Sequence, residues 1–321
     1  MSTIALAHSK FILAGEHFVV EGEPGLVIPA DCFSTQVLLK EIPGDSLVTE
    51  CKFDSELSYL DKLNKEFQIC LRQLIVLSAE QLGIDLEAVC HSGTGFCCQV
   101  RSNIPPGQGA GSSSALCQAI TEAMLKHFYA DELHPNYIKW FGTLLENEWH
   151  GPVSGIDNTA IAYHKIFKYC RGTAPEPVTP ACPLFFVVGS TGPRTNTSPY
   201  QIIKHYKKNK PLQYAAFKAV SRDNVANLIT TFQTGDLSEA GRCMNETHEL
   251  YNALGIVPPR VDEAVKEALN LGAFGARMTG AGGGGFVIAC VPFQRIEEIQ
   301  KKWMDMGLKS VRSVQFGMQY I

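Results

Sequence analysis

The segment Pro105-Pro106-Gly107-Gln108-Gly109-Ala110-Gly111-Ser112-Ser113-Ser114-Ala115 carries three alternating glycines followed by three serines. Glycine accepts left-handed backbone and lets the chain come close to a ligand. A strand pattern, Phe96–Ile104, precedes the segment, and a helical pattern begins near Ser112. The serines therefore fall at a helix N-terminus, where unpaired amides and the helix dipole attract anions. A polyphosphate suits such a place, although a glycine turn with a serine cap uses the same residue types without a ligand. The G-x-G-x-G spacing departs from the dinucleotide fingerprint G-x-G-x-x-G, and Glu122 comes too early to be its ribose-binding acid. No lysine precedes the serines, so the P-loop pattern fails as well.

A second loop, Thr279-Gly280-Ala281-Gly282-Gly283-Gly284-Gly285, stands before the apolar run Phe286–Val291. Taken alone it is either a flexible hairpin or a place where the backbone approaches something closely. Asp157, within Ser154-Gly155-Ile156-Asp157-Asn158, is by residue type either a helix cap before Ala160–Ala162 or a proton acceptor for a hydroxyl. Glu146 and His150 stand four apart on a predicted helix, a spacing that also serves zinc, but that face offers no second histidine.

These groups need elements to hold them. Phe11–Val20 and Gly25–Ala30 read as strand, turn, strand around Gly22, Pro24 and Gly25. Helical periodicity runs from about Leu57 to Leu82, with Gly83 as its stop. Beyond the proline-rich stretch Arg171–Pro183, the pattern predicts a strand at Leu184–Val188. Helices follow near Leu212–Phe232, Leu237–Leu254 and Arg260–Leu271. The strand Phe286–Val291, a helix near Arg295–Met306 and a strand near Ser310–Phe316 close the chain. This order predicts an α+β protein with mostly antiparallel sheets. Two domains are expected, 1–175 with the phosphate loop and 176–321, separated at the prolines.

A formal net charge of −4 gives no electrostatic reason to expect nucleic acid or an anionic membrane as partner. No apolar run approaches the length of a membrane span, and the N-terminus lacks the pattern of a secretory signal. The 11 cysteines form no C-x-x-C pair, which predicts reduced thiols and a cytoplasmic location.

Four stretches together resemble the GHMP kinase superfamily. Lys10–Pro24, with Gly15-Glu16-His17 followed by Val19-Val20-Glu21-Gly22, is similar to its first motif. Pro105–Ala115 is similar to its phosphate loop, Ser154–Asn158 to its aspartate segment and Thr279–Gly285 to its third motif. A weaker likeness covers Met244-Asn245 through His248 to Leu250. The resemblance implies a two-domain GHMP kinase fold, with an N-terminal domain like ribosomal protein S5 domain 2 and a ferredoxin-like C-terminal domain. Within the superfamily the chain resembles the branch that phosphorylates the 5-hydroxyl of mevalonate with ATP and Mg²⁺. Another GHMP small-molecule kinase, acting on phosphomevalonate or a sugar, and a non-catalytic nucleotide-binding regulator are the alternatives.

The same resemblance implies residue roles. Asp157 would be the catalytic base and Lys10 its cationic neighbour. Pro106, Gly107, Gln108, Gly109, Ala110, Gly111, Ser112, Ser113 and Ser114 would bind ATP. Ser113 and Glu146 would hold the metal, with Glu148 the alternative if the register slips. Glu16, His17, Arg194, Thr197, Gly280 and Ala281 would receive mevalonate, with Arg194 suited to pair bidentately with its carboxylate. The implied partners are ATP and mevalonate, with no nucleic acid and no membrane; a homodimer is left open.

Overall fold

The computed structural model describes residues 1–53, 60–91, 93–129, 134–151, 153–194 and 199–317. They form two compact units whose segments interleave along the chain. The first comprises Met1–Ser9, Phe33–Ile104 and Gly111–His164, and the second Lys10–Cys32, Pro105–Ala110 and Lys165–Ile321.

In the first unit, strand β2 (Gly25–Pro43) pairs antiparallel with β4 (Thr94–Ser102), from Thr35 opposite Ser102 to Pro43 opposite Thr94. Strand β3 (Leu47–Phe53) joins β4 in parallel, and β1 (Ser2–Ala14) pairs with β2. Period-2 burial along β2, where Phe33, Thr35, Val37 and Leu39 are buried, marks the face that meets the helices. The helices are α1 (Leu60–Gln81), α2 (Leu86–His91), α3 (Ser112–Tyr129), α4 (Pro135–His150) and α5 (Ile156–Tyr163). The expected beginning of the first helix, before Leu60, lies outside the described residues. Helix α3 is buried over Ala115, Leu116, Ala119, Ile120, Ala123 and Met124, the face its periodicity predicts. Proline opens α4, where it costs no hydrogen bond, and the His134 side chain accepts from the Asn136 amide as its cap.

In the second unit, the start of β2 pairs with β5 (Phe167–Tyr169), which pairs with β6 (Glu176–Pro177). A four-stranded antiparallel sheet has the order β10-β7-β9-β8. Its strands are β7 (Leu184–Ser190), β8 (Gly275–Met278), β9 (Phe286–Cys290) and β10 (Lys309–Phe316). Helices α6 (Pro199–Asn209), α7 (Pro211–Thr234), α8 (Leu237–Leu254), α9 (Pro259–Asn270) and α10 (Ile296–Asp305) complete it. The core joins Val187, Tyr251, Leu254, Val261, Val265, Val287, Ile299 and Trp303 with Phe18 from the chain's beginning. The antiparallel α+β character expected from the sequence is found, with the β3–β4 pair parallel. Among the described residues no helix is long and apolar enough to cross a membrane, and all 11 cysteines are free.

Candidate active site

In the first unit, α3 and α4 come close because Gly142 has no side chain: a Cβ there would stand 2.6 Å from the Gln118 Cγ. One turn along each helix, that approach brings Glu146 to Ser114 and its neighbour Ser113. The Glu146 carboxylate is buried and accepts from the Ser113 hydroxyl at 2.6 Å and from the Ser114 hydroxyl at 2.8 and 2.9 Å. Asn158 Nδ2 donates to its other oxygen at 2.6 Å, and Gln118 Nε2 donates to the Asn158 carbonyl at 2.6 Å. Glu148 and His150 are exposed.

Asn158 is thereby fixed, and Asp157 precedes it in the first turn of α5. The cap of that helix is Gly155, in left-handed conformation at φ 80°, so Asp157 stands inside the helix and not at the capping position its residue type allows. Ser113 and Glu146 present hydroxyl and carboxylate oxygens together, the donor chemistry of a hard divalent cation that takes its remaining ligands from phosphate and water. No group of three histidine, cysteine or acidic side chains gathers as a metal cage among the described residues.

In the second unit, Lys10 is 1% exposed and its ammonium donates to the Gly109 carbonyl at 3.2 Å. A buried ammonium needs such acceptors, since desolvation without them costs several kcal/mol, roughly. Gly109 has φ 91°, and a Cβ there would lie 3.3 Å from both Gly280 Cα and the Arg194 Nη2 atom. The phosphate segment, the glycine loop and Arg194 thus meet at a position only glycine can hold. Pro106 is half-buried and Gly107 exposed, whereas the Gln108 and Ala110 side chains are buried. The Gln108 side chain turns inward to accept from the Ser190 hydroxyl, and its backbone carbonyl packs against Gly285, where a Cβ would stand 2.3 Å from it. Thr191 donates from both its amide and its hydroxyl to the Gly285 carbonyl, at 2.8 and 3.0 Å.

The glycine loop is anchored at its start, where the Thr279 hydroxyl donates to the Ile12 carbonyl at 2.8 Å. Strand β8 ahead of it is held by α8: the Ala276 amide donates to Asn245 Oδ1 at 2.9 Å and the Met278 amide to His248 Nδ1 at 3.4 Å. These bonds give the Met244–Leu250 likeness a physical role. Gly280 is buried and Ala281 exposed, while Thr197 lies outside the described residues.

Glu16 and His17 occupy the turn after β1. Glu16 accepts from Arg277 Nη2 and from the Tyr251 hydroxyl, each at 2.6 Å. Burial lowers the His17 pKa to about 4, against the opposing pull of Glu16, with Arg277 and Arg194 also lowering it. Sequence reasoning missed Arg277, Tyr251, Asn158 and Gln118. Asn158 was visible inside its motif, but Arg277 had no signal, because a charged residue within Gly275–Met278 weakens the strand pattern itself.

The statistical model of the GHMP kinases N terminal domain matches residues 73–165, and that of the GHMP kinases C terminal region matches residues 228–307. Together they cover more than half the chain. It belongs to the GHMP kinases. This GHMP kinase is 29% identical to the mevalonate kinase of Thermococcus onnurineus, over 92% of this chain and 91% of that protein. Its fold is similar to that of the L. major mevalonate kinase in complex with R-mevalonate. There the TM-score is 0.84 and the identity 24%, covering 97% of this chain and 95% of that one. The Methanococcus jannaschii mevalonate kinase has a TM-score of 0.77 at 24% identity, covering 100% and 99% of the two chains. These likenesses establish the GHMP kinase fold expected from the motifs.

Proposed function

We propose that this GHMP kinase is an ATP-dependent mevalonate kinase that phosphorylates the 5-hydroxyl, giving 5-phosphomevalonate and ADP. The observation that carries the reading is the convergence of Ser113, Ser114 and Asn158 on the buried Glu146 carboxylate. A glycine–serine phosphate segment and an aspartate segment are thereby joined through one acid, an arrangement suited to transfer of a phosphoryl group to a hydroxyl.

In this reading the segment Pro106–Ser114 holds the polyphosphate through backbone amides and the α3 N-terminus. Ser113 and Glu146 would hold Mg²⁺, which when bound neutralises phosphate charge as a Lewis acid. Asp157 takes the proton of the 5-hydroxyl as its oxygen attacks the γ-phosphorus, and the bond to the ADP oxygen breaks. Lys10 supplies positive charge for the transferred group. Glu16-His17, Arg194, Thr197 and the Gly280–Ala281 backbone receive mevalonate. Arg194 pairs with its carboxylate. A cytoplasmic location is part of the proposal, supported by 11 unpaired cysteines.

The test is a coupled ADP-release assay on the purified protein with mevalonate, phosphomevalonate, galactose and homoserine. ADP formed in step with 5-phosphomevalonate, and little with the other three, is the expected result. Faster turnover of another acceptor would move the protein to a different branch of the family. ATP binding without turnover of any acceptor would favour a regulator.

A further inference from the structure

We propose that Arg277 and Tyr251 are positioning residues for His17. They clamp the Glu16 carboxylate from two sides and so fix the Gly15–His17 turn that faces the acceptor substrate. The inference rests on the mevalonate reading and deepens it.

The clamp is complete at both carboxylate oxygens: Arg277 Nη2 donates to Oε1 and the Tyr251 hydroxyl to Oε2, each at 2.6 Å. The other Arg277 amino group donates to the Leu13 carbonyl, so the arginine also grips the end of β1. Arg277 is 0% exposed and the Glu16 side chain 3%, so neither charge can turn to water for an alternative partner. The guanidinium lies 5.0 Å from the Tyr251 ring centre, and the His17 ring meets the same ring edge-on at 5.2 Å. Tyr251 therefore contacts every member of the cluster.

His17 Nε2 is buried with no hydrogen-bond partner among the described residues. An unsatisfied buried ring nitrogen is costly unless a ligand completes it. The charged and titratable groups around the ring are Glu16, Arg277, Arg194 and Tyr251. With Glu16 held away by its two donors, the neutral ring keeps Nε2 for the substrate. Glu16 then acts through His17 rather than on mevalonate directly, which revises the role its motif implies.

The test uses the full chain with Tyr251→Phe, Arg277→Met and Arg277→Lys. Steady-state kinetics and the His17 titration by NMR are the readouts. Tyr251→Phe removes one hydroxyl and leaves the packing. It should raise the KM for mevalonate about tenfold, the size of one charge-assisted hydrogen bond, with the KM for ATP unchanged and kcat within about twofold. The His17 titration should move up from its value of about 4, because a released Glu16 oxygen can accept from the ring. Arg277→Met should move it further, and Arg277→Lys should recover part of both effects. If Arg277→Met fails to fold, Tyr251→Phe decides alone. An unmoved His17 titration with unchanged mevalonate KM would overturn the proposal, as would equal losses for mevalonate and ATP. Should the wild type fail to phosphorylate mevalonate, the functional reading falls, and the NMR titration still decides the clamp.

Discussion

Asp157 stands in the first turn of α5, next to an asparagine whose amide is held by Glu146. Asp157→Asn keeps the shape of that turn and removes the proton acceptor. Turnover of mevalonate should fall by about 10²–10⁴-fold, the usual contribution of a general base, while the thermal melt stays near wild type. Turnover close to wild type would exclude Asp157 as the base. Ser113→Ala and Glu146→Gln each remove an oxygen, or its charge, from the proposed Mg²⁺ site. Both should raise the Mg²⁺ concentration giving half-maximal rate, while Glu148→Gln, at an exposed position, should leave it unchanged. A metal defect in Glu148→Gln alone would shift the assignment along the helix. The choice between these two acids was not legible in the sequence, because both fit an acidic helix and only packing distinguishes them. Roles carried by distant partners were equally hidden: Arg277 reaches Glu16 across 261 positions, and nothing local to either residue announces the other.

Helix α4 can deliver Glu146 only because α3 and α4 touch at Gly142. Gly142→Leu would insert a side chain where even a Cβ would stand 2.6 Å from the Gln118 Cγ. Overpacking of this kind costs about 1–3 kcal/mol, and the helices would part at the turn next to the Glu146 carboxylate. The expected outcome is a lower melting temperature together with a raised Mg²⁺ requirement; a lower melt with an unchanged Mg²⁺ response would uncouple the crossing from the site. Most helices were legible: α7, α8, α9 and α10 begin and end within a few residues of expectation, and α3 begins at the expected Ser112. Helix α6 was not. Its sequence Pro-Tyr-Gln-Ile-Ile-Lys-His-Tyr-Lys-Lys-Asn buries Ile203 and half-buries Ile202 and Tyr206 against the core, a short apolar stripe among charged residues directly after the proline that opens it. Strand β8 is short and contains Arg277, so its place in the sheet follows from burial in the finished fold.

At the scale of the molecule, sensitivity to acid follows from buried histidines, His127 in the first unit and His17 and His248 in the second. All three have pKa values lowered first by burial, so the fold holds them neutral. The unfolded chain binds these protons once pH drops below about 6.5, and the folded chain resists. Their contribution to stability is therefore complete above that value and is lost progressively towards the His17 value of about 4. For His17 alone the loss is on the order of 3 kcal/mol. Calorimetric melting temperatures should fall steadily across this window, and His17→Asn should flatten the slope; a flat profile in the wild type would contradict the assignment. The motifs made the family legible across the chain. The interleaving of the two units was not, because it depends on long strands whose patterns look the same on either side of Ser9 and Cys32. That interleaving sets a timetable for a chain leaving the ribosome. Phe11, Leu13 and Phe18 belong to a unit whose last strand ends at Phe316. At ordinary elongation rates they wait roughly 15 to 60 seconds for it. During that interval apolar side chains that the finished protein hides completely have no native partners, so the nascent chain, rather than the mature enzyme, is the form most dependent on chaperones.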